Sequence, residues 1–264
     1  MFIDALGQEH QPAPTPRILS LVPSITELLF DLDLSKSLVG RTAFCVHPKE
    51  LVKQVKSVGG TKQVNMDKVK ALNATHLIVN IDENPKELVE ELGEFIPNIV
   101  VTHPNAPEDN IELYKLLGNI FERRDQAARL ISELQAARTH VQMSACDLPQ
   151  KKVLYFIWKD PWMTIAPETY ISRTLASVNL ITQPVETDKR YPEVDLTSGI
   201  LDEVDAILFS SEPFLFKDTH LAEFAETYNQ PKDKLHIIDG EMTSWYGSRA
   251  ITGLRYMVDF AGKL

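Results

Sequence analysis

The chain has 264 residues, of which 44% are hydrophobic and 24% are charged, so it is long enough to bury one large core or two smaller ones. Its formal net charge of −10 argues against a nucleic-acid partner and against binding to an anionic membrane surface. The two cysteines, Cys45 and Cys146, lie too far apart for a metal-binding C-x-x-C pair and are too few for a disulfide framework.

The first 16 residues contain three prolines, and we expect them to form a flexible tail. They lack the basic start and the apolar core of a secretory signal, and no later run reaches the roughly 18 apolar residues of a membrane span. The sequence as written therefore predicts a cytoplasmic protein that is not embedded in a membrane. A trimmed sequence with an added methionine would instead be compatible with a periplasmic location.

Short apolar runs alternate with helical patterns in the first half of the chain. Strands that alternate with helices pair in parallel through right-handed crossovers, so this half predicts an N-terminal α/β lobe over residues 17–105. The predicted strands are residues 17–22, 38–40, 76–80 and 98–102, and the predicted helices start at residue 24 or cover residues 66–72 and 82–92.

A long amphipathic pattern occupies the middle of the chain, at residues 105–144. Apolar residues recur there at steps of three and four, from Leu113 to Val141, and no proline follows Pro107 until Pro149. Gly118 and the charged residues 122–124 are possible breaks, so the pattern is strongest from about residue 124 onward. A helix of about 20 residues spans roughly 30 Å, which predicts a rigid linking helix within residues 106–146.

The second half repeats the alternation and predicts a C-terminal α/β lobe over residues 147–264. Its predicted strands are residues 152–158, 205–210 and 235–239, and its predicted helices are residues 169–178, 219–228 and 249–260. The fold class is therefore α/β, with two lobes of parallel sheet joined by a single long helix.

Open parallel sheets bind ligands beyond the carboxyl ends of their strands, so the loops after the strands hold the candidate site residues. Large aromatic side chains with a few charged groups suit a flat or bulky ligand. Phe214, Phe216 and Trp162 have a plainer interpretation, in which they only close the edge of the lobe. The candidate ligand-binding residues are Pro23, Ser24, Arg41, Phe44, Thr61, Lys62, Glu83, Asn84, Trp158, Tyr191, Glu212, Phe214, Trp245, Tyr246 and Arg249.

Signals for a metal site or for catalysis are weak. Cys45 and His47 offer two metal ligands where a closed site needs four. Glu83, next to Asp82, is either half of a catalytic pair or part of a helix start, where acids oppose the dipole. Ser24 lacks the G-x-S-x-G motif of a nucleophile, and no G-x-G-x-x-G or Walker loop is present. We therefore expect no catalysis.

Four segments carry a resemblance to a known family: LVPSITE at residues 21–27, LVGRT at 38–42, VGGT at 58–61 and NMDKVKAL at 65–72. They resemble the cobalamin- and iron-siderophore-binding proteins of ABC importers, the helical-backbone metal receptors or class III periplasmic binding proteins. The resemblance covers about residues 17–262 and implies two α/β lobes joined by one long helix. SSEPF at residues 210–214 and SWYGSR at 244–249 resemble an atypical branch of that superfamily.

The resemblance implies a monomeric solute-binding protein that holds a metal chelate, either a corrinoid such as cobalamin, haem or a ferric siderophore, in a groove between its lobes. The metal would arrive inside its chelate, so no intrinsic cofactor is expected. By resemblance, Trp158, Trp245 and Tyr246 would stack on or border the ligand, while Arg249 and Glu83 would contact its polar substituents.

The family docks to an ABC permease through one acidic residue in each lobe. Asp67 fits that position in the first lobe, whereas the matching stretch of the second lobe has Thr197 instead. The family also carries a signal peptide, which is not recognisable here.

Two other functions stay open at this point. One is a metal-dependent enzyme or metal chaperone of related architecture that uses Cys45, His47, Glu83 and Glu212. The other is an interaction protein that has lost ligand binding. A metal enzyme would retain metal after purification without any chelate, and it would lose that metal when Cys45 or His47 is replaced.

Overall fold

Two sheets of parallel strands organise the chain, and the computed structural model describes residues 2–264. The N-terminal unit consists of residues 2–104, Asp109–Glu133 and Tyr246–Arg249. The C-terminal unit consists of Asn105–Glu108, Leu134–Trp245 and Ala250–Leu264. The predicted α/β class with parallel sheets is confirmed.

The N-terminal unit contains a parallel sheet with the strand order β5-β4-β3-β6-β7. Its strands are β1 (Phe2–Ile3), β2 (Glu9–His10), β3 (Ile18–Ser20), β4 (Leu38–Arg41), β5 (Lys56–Ser57), β6 (His76–Asn80) and β7 (Asn98–Thr102). Its helices are α1 (Pro23–Asp31), α2 (Met66–Ala71), α3 (Lys86–Gly93) and α4 (Asn110–Ile120). Strand β6 is buried along its whole length, as expected for a strand in the interior of a sheet that is covered on both faces.

The N-terminal segment differs from its prediction. The sequence predicted a flexible tail for residues 1–16, but β1 and β2 form an antiparallel hairpin. The Asp4 carboxylate accepts hydrogen bonds from the backbone N–H groups of Leu6 and Gln8 within the hairpin, at 3.0 and 2.9 Å, and from that of Val101 in β7 at 3.0 Å. The hairpin thereby covers part of the open edge of β7, which would otherwise expose unpaired backbone groups.

The central amphipathic pattern is two helices, α4 and α5 (Arg124–Ala145). The break falls where the sequence allowed it. Glu122 has a φ of 55°, and a Cβ on Gly118 would lie 2.6 Å from the Cβ of Ala127. Glycine at 118 therefore lets the start of α5 pack closely against α4.

The C-terminal unit contains a parallel sheet with the strand order β11-β10-β8-β9. Its strands are β8 (Lys151–Phe156), β9 (Leu180–Thr182), β10 (Ala206–Ser210) and β11 (Leu235–Ile238). Its helices are α6 (Tyr170–Ala176), α7 (Ile200–Glu203), α8 (Asp218–Thr227), α9 (Gly240–Ser244) and α10 (Arg249–Ala261), the first residue of α10 belonging to the N-terminal unit. Strand β9 and helices α7 and α9 were not predicted, because each is only three to five residues long.

One segment lies in a different unit from the one predicted. The sequence interpretation placed all of residues 147–264 in the C-terminal lobe, whereas Tyr246–Arg249 belongs to the N-terminal unit. Gly247 holds it there, because its N–H donates to Asn110 Oδ1 at 2.6 Å and its carbonyl accepts from Tyr114 OH at 2.9 Å. In residues 2–264, no helix combines the length and the apolar character that crossing a membrane requires.

Candidate functional site

The carboxyl ends of the parallel strands lead into two sets of loops. We call the loops after β3, β4, β5 and β6 the N-terminal rim, which comprises residues 21–24, 42–48, 58–65 and 81–85. We call the loops after β8, β9, β10 and β11 the C-terminal rim, which comprises residues 157–163, 183–191, 211–217 and 239–245.

Large apolar side chains are exposed on both rims. Of the eleven large hydrophobic side chains that are exposed in the described part of the chain, six lie in these loops, which is more than scattered surface residues would give. They are Phe44, Val46, Ile81, Trp158, Val185 and Leu215. The sequence analysis named only Phe44 and Trp158, because an aliphatic residue in a loop carries no signal of its own exposure.

An aromatic pair marks the C-terminal rim. The rings of Trp158 and Phe214 meet edge to face, with centroids 5.6 Å apart and an angle of 74° between their planes. The backbone N–H of Phe214 donates to the carbonyl of Ile157 at 3.4 Å, which holds the loop after β10 beside the end of β8. Trp158 is 41% exposed, so one side of the pair remains available for stacking against a ligand.

Glu212 lies two residues before Phe214 in the same loop. Its Oε1 accepts hydrogen bonds from the indole Nε1–H of Trp245 at 2.6 Å and from the hydroxyl of Ser244 at 3.0 Å. Burial raises the pKa of this carboxyl, and the charges of Glu241 and Asp239 raise it further, against the lowering by the two hydrogen bonds. Trp245 is buried, so it positions Glu212, and the expected stacking of Trp245 on a ligand is not supported.

Small residues beneath Glu212 make this arrangement possible, and the sequence analysis missed them. A Cβ on Gly240 would lie 2.5 Å from Cγ of Glu212, so only glycine fits there. The hydroxyl of Ser210 donates to the Glu212 carbonyl at 2.6 Å and accepts from Tyr155 OH at 2.9 Å. Burial raises the pKa of Tyr155 beyond its usual range, which keeps this phenol protonated. The signal was the D-G pair after β11, which the prediction treated only as a strand end.

The other aromatics near the C-terminal rim form core. Trp162 stacks on Phe216 with centroids 5.9 Å apart and planes nearly parallel at 7°, and Phe216 is buried. The plainer interpretation, that these two rings close the edge of the lobe, holds for both. Phe214 takes part in that packing as well, at 4.6 Å from Phe216. Tyr191 is half-buried at the end of the loop after β9.

Asn84 is a structural residue of the N-terminal rim. It is buried, its Oδ1 accepts from the backbone N–H of Asn80 at 2.9 Å, and its amide donates to the carbonyl of Thr61 at 2.9 Å. The expected ligand contact of Asn84 is not supported, because these backbone bonds occupy its side chain. A buried amide is stable only when its hydrogen bonds are made.

Arg41 also holds a loop. Its Nε donates to the carbonyl of Val52 and its Nη1 to that of Thr42, both at 2.9 Å. The other predicted ligand residues of this rim differ in exposure. Ser24 is buried, and Pro23, the first residue of α1, and Thr61 are half-buried. Lys62 and Phe44 are exposed. Phe44 is 61% exposed, so it is the available aromatic of this rim.

The segment Tyr246–Arg249 is bound to the N-terminal unit by two acids. The hydroxyl of Tyr246 donates to Oε1 of Glu83, and burial together with the charge of Glu83 raises the pKa of Tyr246 well above its usual value. Arg249 makes a two-pronged ion pair with Glu27, at 2.8 and 2.5 Å. Glu83, Tyr246 and Arg249 were all predicted to contact ligand, but these contacts show them engaged within the protein.

The Cys45 thiol is held in the core. It accepts hydrogen bonds from Thr26 at 3.1 Å and lies 3.2 Å from the Thr42 hydroxyl. Burial raises its pKa, which disfavours the thiolate that binds metals. His47 is half-buried, and residues 2–264 contain no group of three or more His, Cys, Asp or Glu side chains that fits a metal ion. The weak alternative of a metal site at Cys45 and His47 therefore gains no support from these side chains.

Two cavities lie away from the rims. One of about 630 Å³ is lined by the N-terminal hairpin, the end of β7 and α4. The other, of about 910 Å³, is lined mainly by the second half of α5 with residues 107–108, 177, 179 and 254. None of the predicted ligand-binding residues lines either cavity.

The sequence profile of the family described as "Periplasmic binding protein" matches residues 18–229. The chain belongs to this family. The match covers both parallel sheets except β11, so the family fold accounts for the architecture of both units.

Two curated proteins that are similar to this chain are named vitamin B12-binding proteins. The protein of Vibrio vulnificus strain CMCP6 is 24% identical over 209 residues, which cover 76% of this chain and 73% of that protein. The protein of Photorhabdus laumondii is 22% identical over 176 residues, which cover 67% of this chain and 63% of that protein, less than two thirds of its length.

Two solved structures share the fold of this chain. The periplasmic vitamin B12-binding protein of Vibrio cholerae superposes with a TM-score of 0.79 at 15% identity, covering 96% of this chain and all of that chain. The haem-bound IsdE of S. aureus superposes with a TM-score of 0.76 at 16% identity, covering 94% and 98% of the two chains. At these identities the likeness establishes the fold alone.

The predicted permease-docking residue of this family member is accessible. Asp67 is exposed in the first turn of α2. Thr197, at the matching place in the C-terminal unit, is also exposed, and its hydroxyl donates to Asp195 at 2.6 Å. Asp195 is therefore an exposed acid within two residues of the expected docking position, which the comparison of position 197 alone had overlooked.

Proposed function

We propose that this protein is a solute-binding protein that holds a metal chelate, without catalysis, and that the chelate is a corrinoid of the cobalamin type. Exposed apolar side chains at the strand ends support this proposal, above all the half-exposed Trp158 beside Phe214. A flat, largely apolar macrocycle matches such a surface, since aromatic rings stack on its faces.

The relatives support the choice of ligand. The named curated relatives are vitamin B12-binding proteins, whereas the solved structures of the same fold include both vitamin B12-binding and haem-binding proteins. Haem is therefore the nearest competing ligand. The metal-enzyme alternative receives no support from the structure, because the Cys45 thiol is hydrogen-bonded to the hydroxyls of Thr26 and Thr42.

We also propose that the protein delivers its chelate to an ABC permease, and that it works where periplasmic binding proteins do, outside the cytoplasmic membrane. The family assignment supports this role, and so does the exposure of Asp67 and of the Asp195–Thr197 turn. Replacing Asp67 with asparagine should slow chelate uptake by cells that express the permease while leaving the affinity for the chelate unchanged.

Chelate binding is tested by thermal melting and calorimetric titration with cyanocobalamin, haemin and a ferric hydroxamate siderophore. We expect cyanocobalamin to raise the melting temperature, because a ligand at 100 times its dissociation constant adds about 2.7 kcal/mol of stability. Replacing Trp158 with alanine should weaken binding about tenfold, the loss of one aromatic contact.

The matched control is Met143→Ala, since Met143 is exposed in the same unit but lies on α5, away from the rim. That variant should bind cyanocobalamin like the parent protein. If none of the three chelates shifts the melting temperature, the proposed function is wrong.

A further inference from the structure

One carboxylate oxygen on the C-terminal rim is oriented but unused. Oε1 of Glu212 accepts both hydrogen bonds, from Trp245 and Ser244. Within residues 2–264, Oε2 has no hydrogen-bond partner, and it is not among the fully buried unpaired atoms, so it is partly accessible to solvent. An acceptor held in a fixed direction beside an exposed aromatic pair is suited to bind a donor on a ligand.

We propose that Glu212 is a specificity-determining residue that selects chelates whose ring carries uncharged amide N–H donors over chelates whose ring carries carboxylates. This inference rests on the proposed function and deepens it, because it names the chemical property by which a corrinoid is preferred to haem. The periphery of cobalamin carries uncharged amides, whereas haem carries two propionates. A carboxylate accepts from the former and repels the latter.

The hydrogen bonds show why a structural role alone does not explain a glutamate here. Trp245 and Ser244 both donate to one oxygen, and the amide oxygen of a glutamine would accept both bonds equally well. What glutamate adds is a negative charge and a second acceptor, in the same loop that carries Phe214.

The surrounding charges reinforce the selection. Asp239 and Glu241 are close enough to Glu212 to act on it electrostatically. Lys159, the cation next to Trp158, is paired with Glu223 at 2.8 Å, and the guanidinium of Arg190 donates to Asn105 at 2.7 Å. A ligand carboxylate near Glu212 would therefore meet acids, with Lys159 and Arg190 engaged elsewhere. Lys217 is the exposed cation of the same loop.

The test measures dissociation constants for cyanocobalamin and haemin in the parent chain, in Glu212→Gln and in Glu226→Gln. Glu226 is exposed on α8 of the same unit, so its variant changes the net charge equally but away from the rim. We expect the parent to prefer cyanocobalamin. Glu212→Gln should reduce that preference about tenfold, mainly by strengthening haemin binding, because it removes one like-charge contact. Glu226→Gln should leave the preference unchanged.

A second measurement needs no variant. Salt screens repulsion between charges, so haemin binding to the parent chain should strengthen as the salt concentration rises, while cyanocobalamin binding stays constant. If the parent binds cyanocobalamin but Glu212→Gln leaves the preference unchanged, or if the parent prefers haemin, the inference is wrong and the proposed function stands. If neither chelate binds, the proposed function fails and the inference with it.

Discussion

The two rims follow the same strand-to-loop topology but use their polar side chains differently. On the N-terminal rim, Asn84 is bonded to the backbone, and Glu83 accepts a hydrogen bond from Tyr246, in the segment Tyr246–Arg249 of the same unit. On the C-terminal rim, Oε1 of Glu212 accepts from Trp245 and Ser244 while Oε2 has no partner among the described residues, and Trp158 is exposed. The difference between the rims shows that a polar residue after a strand can serve as a loop support, and that its hydrogen-bond partners, rather than its place after the strand, reveal this role.

The largest expected effect on stability is at Arg249, which forms an ion pair with Glu27 in the N-terminal unit. Arg249 and Glu27 are 12% and 17% exposed in their side chains, so removing the arginine leaves a mostly buried carboxylate without its partner. We expect Arg249→Ala to lower the free energy of unfolding by about 3 kcal/mol, measured by urea denaturation. If Arg249 instead serves mainly to bind ligand, stability will barely change and affinity will fall.

The matched control is the Lys159–Glu223 pair on the C-terminal unit, in which Glu223 is 58% exposed. Lys159→Ala should cost less than about 1 kcal/mol, as exposed ion pairs do. A double replacement, Glu27→Leu with Arg249→Met, should recover much of the stability lost in Arg249→Ala, because it removes both charges together.

His76 in β6 and His236 in β11 allow the effect of burial on stability to be compared between the two sheets. Burial lowers the pKa of His76 to about 4, with a further contribution from His10; Thr75 and Phe121 are its other neighbours. Because the folded pKa lies below the unfolded value near 6.5, the unfolded chain binds the proton first as the pH falls. Stability is therefore lost between about pH 6.5 and pH 4, and the loss is complete below that range.

Between pH 7 and pH 4 the parent should lose about 2 kcal/mol of unfolding free energy through His76, and His76→Gln should lack this loss. The measurement is the unfolding free energy of variant and parent at both pH values. His236→Gln should have a smaller effect in the same direction, because His236 is less buried and its pKa is lowered less. Equal effects from the two variants would show that burial in the two sheets does not differ at these positions.

The alternation of strands and helices predicted both parallel sheets, because a buried run of β-branched residues bounded by turns has few other structures available. The strand HLIVN is observed at the residues predicted, His76–Asn80. The predicted tail failed for a different reason. The hairpin at residues 2–10 depends on Asp4 reaching Val101, 97 residues away in the sequence, and no local pattern reports such a contact.

The position of the site stays a prediction, whereas the partners of its side chains are now described. The rule that ligands bind beyond strand ends selected the two rims, yet it could not separate Trp158, which is exposed, from Trp245, which is buried and donates to Glu212. It also could not show that Arg249 pairs with Glu27, since 222 residues separate them. Side-chain roles of this kind depend on three-dimensional partners rather than on residue type.

Gly247, in the segment Tyr246–Arg249, and Gly199, before α7, both have a positive φ but differ in how crowded they are. Gly247 has a φ of 74°, and a Cβ there would lie 3.1 Å from the carbonyl of Ser24. Gly199 has a φ of 89° with nothing within 4 Å of such a Cβ. Both alanine variants carry the cost of a left-handed backbone, but Gly247→Ala should cost about 1 kcal/mol more through crowding. Thermal melting measures the difference, and equal melting temperatures would mean that the segment Tyr246–Arg249 is loosely held.

The smallest expected effect is the difference in cyanocobalamin affinity between alanine variants of Phe44 and Trp158, the exposed aromatic residues of the two rims. Phe44 is more exposed than Trp158, at 61% against 41%, and has no aromatic partner among the ring pairs of the described residues. A ring without such support loses more side-chain freedom when a ligand orders it. Phe44→Ala should therefore weaken cyanocobalamin binding only about threefold, against about tenfold for Trp158→Ala, as measured by calorimetric titration. A larger loss at Phe44 would move the main stacking surface to the N-terminal rim, and the role assigned to Glu212 would then lack the neighbouring aromatic contact on which it depends.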